Sequence, residues 1–115
     1  MLVVENMSRK LQEDKVTRNY FYRVVKDDIV LTLKGNSKKV QVYGIEIERQ
    51  DMVDDNVVKI ERDCVKVIST HRNKVHSLMK KLYNGVVSPI HLVDILGEDI
   101  DECVNDFEYV LTEIC

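Results

Sequence analysis

The sequence predicts an α+β domain: a four-stranded antiparallel meander, then two short helices and a longer C-terminal helix packed on one sheet face. Three observations predict it. From Tyr20 to Ile68, apolar and β-branched residues alternate with polar ones in stretches divided by short polar reversals. Near Thr70 the spacing changes to threes and fours, in Val75, Leu78, Met79 and Leu82, which is the stripe of a helix docked on a sheet. The chain's single proline follows Ser88 as a helix-start signal, and beyond Gly97 a further apolar stripe runs to Ile114.

Taken in order, Met1 to Val16 is the least regular piece. Leu2-Val3-Val4 suits a short edge strand, while Met7 and Leu11 have helical spacing, so a mobile arm with a short helical turn is expected. Tyr20 to Val25 is aromatic and β-branched and reads as the first strand. Asp27-Asp28 reads as a tight turn into a second strand, where Ile29, Leu31 and Leu33 alternate with Val30, Thr32 and Lys34. Gly35-Asn36-Ser37 is the next reversal. The third strand, about Lys39 to Arg49, changes phase between Val40 and Val42 on one side and Tyr43, Ile45 and Ile47 on the other. A bulge at Tyr43-Gly44 is expected to restore a common inward face. Gln50 to Asn56 reads as a loop. The fourth strand, about Val57 to Ile68, also holds two phases, which a kink near Arg62-Asp63 or a short second hairpin explains.

For the first helix, Ser69 or Thr70 is the expected cap, Lys80 and Lys81 suit the C-terminal carbonyls, and Gly85 is expected to end it in the left-handed conformation. Ser88-Pro89 starts a second helix whose inner face is Ile90, Val93 and Leu96, interrupted at Gly97. Glu98 and Asp99 open the third, with Ile100, Cys103, Val104, Phe107, Val110, Leu111 and Ile114 recurring at threes and fours beside an acidic outer face. The expected organisation is one domain over residues 1–115, with 1–16 a flexible or edge arm and 98–115 an amphipathic helical extension.

A chain of 115 residues, 44% hydrophobic and 32% charged, can bury a core without staples. The 17 basic and 20 acidic side chains leave a formal charge of -3 and no general field for a polyanion. A nucleic-acid site would have to be a local patch, such as the basic helix 72–83 with Arg72, Lys74, Lys80 and Lys81, and no helix-turn-helix partner precedes it. The N-terminus has neither a cleavable leader pattern nor the roughly 20 apolar residues of a membrane span. Three widely spaced cysteines, at 64, 103 and 115, support no disulfide framework and no zinc knuckle, and fit a reducing cytoplasm.

Chemistry is equally sparse. His71 and His76 are five residues apart and diverge by roughly 140° around a helix, unlike the four-residue pair of zinc hydrolases; His91 lies on another helix. Asp51, Asp54 and Asp55 invite a calcium reading, but strands flank them and the central glycine and terminal glutamate of an EF-hand are missing. No serine has an elbow context, and none of the four glycines neighbours another, so no phosphate loop exists. A small metal-dependent enzyme rests only on Ser88, His91 and Cys64 meeting near one end of the sheet. No catalytic residue, metal ligand or cofactor is assigned.

The segment Tyr43-Gly44-Ile45-Glu46-Ile47, followed by Ile68-Ser69-Thr70-His71-Arg72, an amphipathic helix and then Val87-Ser88-Pro89-Ile90-His91-Leu92, resembles a small uncharacterised family of clostridia and related spore-forming Firmicutes, a domain of unknown function, over residues 20–96. Where that family is acidic in the helix after this start, this chain has Lys74, His76, Lys80 and Lys81. The resemblance implies a fold and a lineage and brings no activity. The expectation is a cytosolic, non-enzymatic accessory or regulatory protein that binds protein, with a homodimer as one form. Its interface is expected on Ile100, Val104, Phe107, Leu111 and Ile114, with Phe107 as anchor.

Overall fold

The computed structural model describes residues 1–114, with the side chains of Glu113 and Ile114 left out. Its four strands are β1 (Leu2–Glu13), β2 (Val16–Leu33), β3 (Asn36–Val53) and β4 (Asn56–Ser69), and they form one antiparallel sheet in the order β1-β2-β3-β4. Helix α1 (Arg72–Asn84), a 3-10 turn (Pro89–His91) and α2 (Leu92–Ile114) cover one face. The α+β meander is as expected, but its strands are cut differently.

The residues expected as two strands joined at Asp27-Asp28 are one strand, β2, and the N-terminal arm is the missing strand, β1. β1 pairs along its length with β2, so it is an ordered edge strand without a helical turn at Met7 and Leu11. Asp27 and Asp28 make no turn because alternation sends them to opposite faces, where the N-terminal amine (3.9 Å) and Lys39 (3.6 Å) respectively approach them. The reversals are two-residue loops at Asp14-Lys15, Lys34-Gly35 and Asp54-Asp55. The last two have positive φ at both positions, as a type I′ hairpin requires. The stretch 50–56, expected as a loop, is therefore strand on both sides of Asp54-Asp55.

Strands of 18 residues at about 3.3 Å per residue account for the 58 Å long axis of a molecule only 23 and 19 Å across. β1 accompanies β2 from Val16 to Lys26, and β4 accompanies β3 from Tyr43 to Val53. Beyond those limits, residues 27–33 and 36–42 pair only with each other and project as a two-stranded arm.

β3 keeps an unbroken register against β2, so its two apolar phases stay on opposite faces. Tyr43, Ile45 and Ile47 face the helices, with Tyr20, Tyr22 and Val24 of β2 beside them. Val40 and Val42 are buried on the other face with Val25. The expected bulge exists, but β4 carries it: β4 spends four steps, Val65 to Ser69, where β3 spends two, Tyr43 to Ile45. A Cβ on Gly44 would fall on the carbonyls of Val65 and Lys66, so only glycine lets β4 cross there.

Val75, Met79 and Leu82 of α1 enter the core with Ile68, Leu92, Leu96 and Cys103. His71 occupies the cap position, and Ser69 contributes by accepting the His71 N–H at its Oγ (3.0 Å). Gly85 does not end the helix in the left-handed region; its φ is -86°, and Val86 takes that role at +50°. The Val87 N–H reaches Leu82 O (3.1 Å) and the Val86 N–H reaches Tyr83 O (3.2 Å), a Schellman closure with valine where glycine is usual. Tyr22 holds the same loop by donating to Val87 O (2.9 Å), and burial pushes its phenol pKa up.

Gly97 does not interrupt anything. The predicted second and third helices are one, because Leu96 on one side and Cys103 on the other are anchored in the core, and burial outweighs the roughly 1 kcal/mol that glycine costs a helix.

Candidate functional site

Three groups of polar side chains come together, each joining residues that sequence analysis places in separate roles. The most compact lies where β4, α1 and α2 meet. Ser69, at the end of β4, is fully buried and donates from Oγ to Asp106 Oδ2 (2.5 Å). Lys74 Nζ donates to Asp106 Oδ1 (2.7 Å), and His71 Nε2 stands 3.6 Å from the same oxygen. Cys103 lies one helical turn before Asp106 on the same side of α2.

Electrostatics give this group its character. Burial pulls the Asp106 carboxyl upward, but the bonds from Lys74 and Ser69 outweigh it, so its pKa lies below the ordinary 3.8. The bond to Asp106 raises Lys74 in turn. Burial, with Asp106 nearby, raises the Cys103 thiol, so it stays protonated rather than becoming a thiolate nucleophile. Ser, His and Asp are present, yet Ser69 donates straight to the carboxylate with no imidazole between them and has no exposed surface. Such an arrangement can fasten α2 to α1 and β4; it cannot pass a proton from serine to histidine.

Lys81 and Asp99 repeat the link at 3.1 Å. The lysines are seven residues apart on α1 and the aspartates seven apart on α2, matched in opposite order, as two antiparallel helices require. That spacing was the signal in the sequence, since Asp99 and Asp106 fall on the flank of the apolar stripe rather than on the acidic outer face.

The second group crosses the sheet face away from the helices. Arg23 bonds Glu46 (2.8 Å) and approaches Glu48 (3.5 Å), Gln50 donates to Glu48 (2.7 Å), and Arg62 also binds Glu48. Burial raises Glu48, but these donors outweigh it and hold its carboxyl low. The third lies on the helix-covered face near the start of α2, where Arg49 contacts Asp51 (3.1 Å), Glu61 (2.9 Å) and Ser88 Oγ (3.2 Å). In both groups each carboxylate already has a cation.

The residues considered for chemistry are dispersed. Ser88 is a partner of Arg49, His76 Nδ1 is 2.6 Å from Glu5, and His91 is exposed in the 3-10 turn. Asp51 is tied to Arg49 while Asp54 and Asp55 form a hairpin turn, so the three aspartates do not converge. Among the described residues, no three His, Cys, Asp or Glu side chains are grouped to hold a metal ion. Cys64 and Cys103 are free thiols, and Cys115 lies outside the described residues.

The expected interface residues fall on one side of α2. Ile100 packs against the core while partly exposed, Phe107 and Leu111 are half-buried, and Val104 is 48% exposed. The Ile114 side chain lies outside the described residues. Val93, 53% exposed, extends the same line toward the start of the helix. This apolar ridge runs beside the face that α2 buries through Leu92, Leu96 and Cys103.

Among the described residues, no helix is long and apolar enough to cross a membrane. No curated protein and no solved structure matches the chain. A family does: residues 1–102, which take in the whole sheet, α1 and the first half of α2, match the family of unknown function DUF6514, and the chain belongs to it.

Proposed function

We propose that this protein is a non-enzymatic accessory or regulatory factor of the cytosol that acts by binding protein, through the outward ridge of α2. One observation carries the reading: Val93 and Val104 stand open to solvent in line with the half-covered Ile100, Phe107 and Leu111. Apolar lines on a surface mark interaction sites, whereas scattered exposed residues do not. The polar groups support the same reading, since their carboxylates are already paired with cations and the serine and carboxylate of the best-assembled one are buried against each other. Two free thiols suit a reducing compartment. The motif resemblance supports a lineage among spore-forming Firmicutes.

Nucleic-acid binding through α1 has less to draw on. Arg72 is held by Glu5 (3.3 Å) and the Val4 carbonyl (3.1 Å), Lys74 by Asp106 and Lys81 by Asp99, which leaves little unspent positive charge on that helix.

The test is a photo-crosslinking amino acid at position 104 of the full chain, expressed in the source cells, with Val30 on the arm as the control position. A defined covalent protein adduct from position 104 is expected. Labelling at position 104 no stronger than at position 30 overturns the reading.

A further inference from the structure

We infer that two copies of this chain are joined by antiparallel pairing of the two β4 edges centred on Ile60, so that one sheet runs through both copies. This goes beyond the α2 ridge and assigns the free sheet edge as a second protein-binding surface. β4 bonds β3 alone, and its outer row of backbone groups has no strand beside it. Irregularities bracket its middle, but from Lys59 to Val65 its register with β3 is unbroken, and such a stretch is a template for another strand.

The charges select the register. Residues opposed in an antiparallel ladder present their backbone groups the same way, so a strand paired with its own copy must be centred on a residue and not between two. Opposed side chains lie close on one face, where like charges repel and unlike charges attract. Centring on Lys59, Glu61, Arg62 or Asp63 sets that charged residue against itself, and centring on Cys64 sets Arg62 against Lys66. Centring on Val65 runs half of the pairing through the bulge in which β4 spends four steps against two, whereas centring on Ile60 meets only the single extra residue between Val57 and Lys59. Centring on Ile60 sets Ile60 against Ile60 and Lys59 against Glu61 twice, with no like charges opposed. Lys59 already lies 2.8 Å from Glu61 of its own chain, so in the pair four charges alternate across the two-fold axis.

Apolar surface lies at the same place. Ile60 is 50% exposed and Ile90 73% exposed, and with Pro89 they border one open hollow along this edge. α2 runs from the Ser88 contact with Arg49, opposite Glu61, to the Ser69–Asp106 bond at the far end of β4, so a two-fold axis at Ile60 points the two α2 helices away from each other and leaves their outward ridges free.

The test uses the purified full chain. Sedimentation across a concentration series should show a monomer–dimer equilibrium. Lys59→Glu should weaken it about tenfold, and Lys59→Glu with Glu61→Lys should restore it, with circular dichroism as the check on folding. Because Glu61 also meets Arg49, a second measurement stands apart from the charge swap. With Cys64 and Cys115 replaced by serine, Ile60→Cys should form an intermolecular disulfide in oxidised glutathione far faster than Val30→Cys does. A chain that stays monomeric, or an Ile60→Cys variant that crosslinks no faster than the control, overturns the inference. A chain that stays monomeric overturns the second copy even where position 104 captures another protein, and a dimer with no position-104 adduct upholds the edge pairing while overturning the ridge.

Discussion

Gly44 is the residue at which the sheet tolerates least. The side chain it lacks would occupy the line of the Val65 and Lys66 carbonyls, which belong to backbone and cannot swing aside. Gly44→Ala should lose about 3 kcal/mol in urea unfolding. Asp106 is sensitive in a different way, through protons. Its native pKa lies below its unfolded one, so the stability it adds is whole above about pH 4 and fades as the pH falls through the native value. Asp106→Asn should cost about 2 kcal/mol at pH 7. It should also flatten the acid limb of the stability profile, which unfolding between pH 2 and 7 will show. Val86, a β-branched residue at φ +50°, holds a conformation that sequence reading gives to the glycine beside it. Local propensity names Gly85; the reach of the Val87 N–H back to Leu82 and the contacts of Val86 and Val87 with the core place the turn one residue later.

Among the elements, α2 shows where a glycine signal misleads. A Cβ at Gly97 would meet nothing within 4 Å, so Gly97→Ala should stabilise the protein by about 1 kcal/mol and raise its Tm by a few degrees. Periodicity reveals one helix better than the other. The core face of α1 is legible because Val75, Met79 and Leu82 lie three or four apart, whereas of the inner face expected at Ile90, Val93 and Leu96 only Leu96 is buried, because α2 begins at Leu92 and turns Leu92 inward. The strands were harder to divide. Asp27-Asp28 looks like a turn by composition, and only the register of Ile29 against Val40 shows the strand continuing through it. β1 was hidden because an edge strand buries little: its inward residues Val4 and Met7 are only partly covered, so alternation is faint. Of the polar groups, the seven-residue spacing of the lysines and aspartates could be read in advance. The Arg23, Glu46, Glu48 and Arg62 group could not, because it depends on pairing across three strands.

For the whole molecule, every strand pairs with its neighbour in sequence, and the helices follow the completed sheet. The core of Tyr20, Tyr22, Ile45, Ile47 and the helical residues sits over one part of the long axis, while the arm of residues 27–42 extends beyond β1 and β4. The molecule therefore keeps two clocks. Amides in the body, such as those of Tyr22 and Ile47, exchange with solvent deuterium only when the sheet and helices open together. Amides near the arm's tip, such as those of Leu31 and Lys38, are paired across a two-stranded ribbon alone and are released by fraying from Lys34-Gly35, with no need for the body to open. Hydrogen exchange should fall off stepwise along β2 and β3, fast at Leu31 and slow at Tyr22, and a substitution that weakens the core should speed the second while leaving the first as it was.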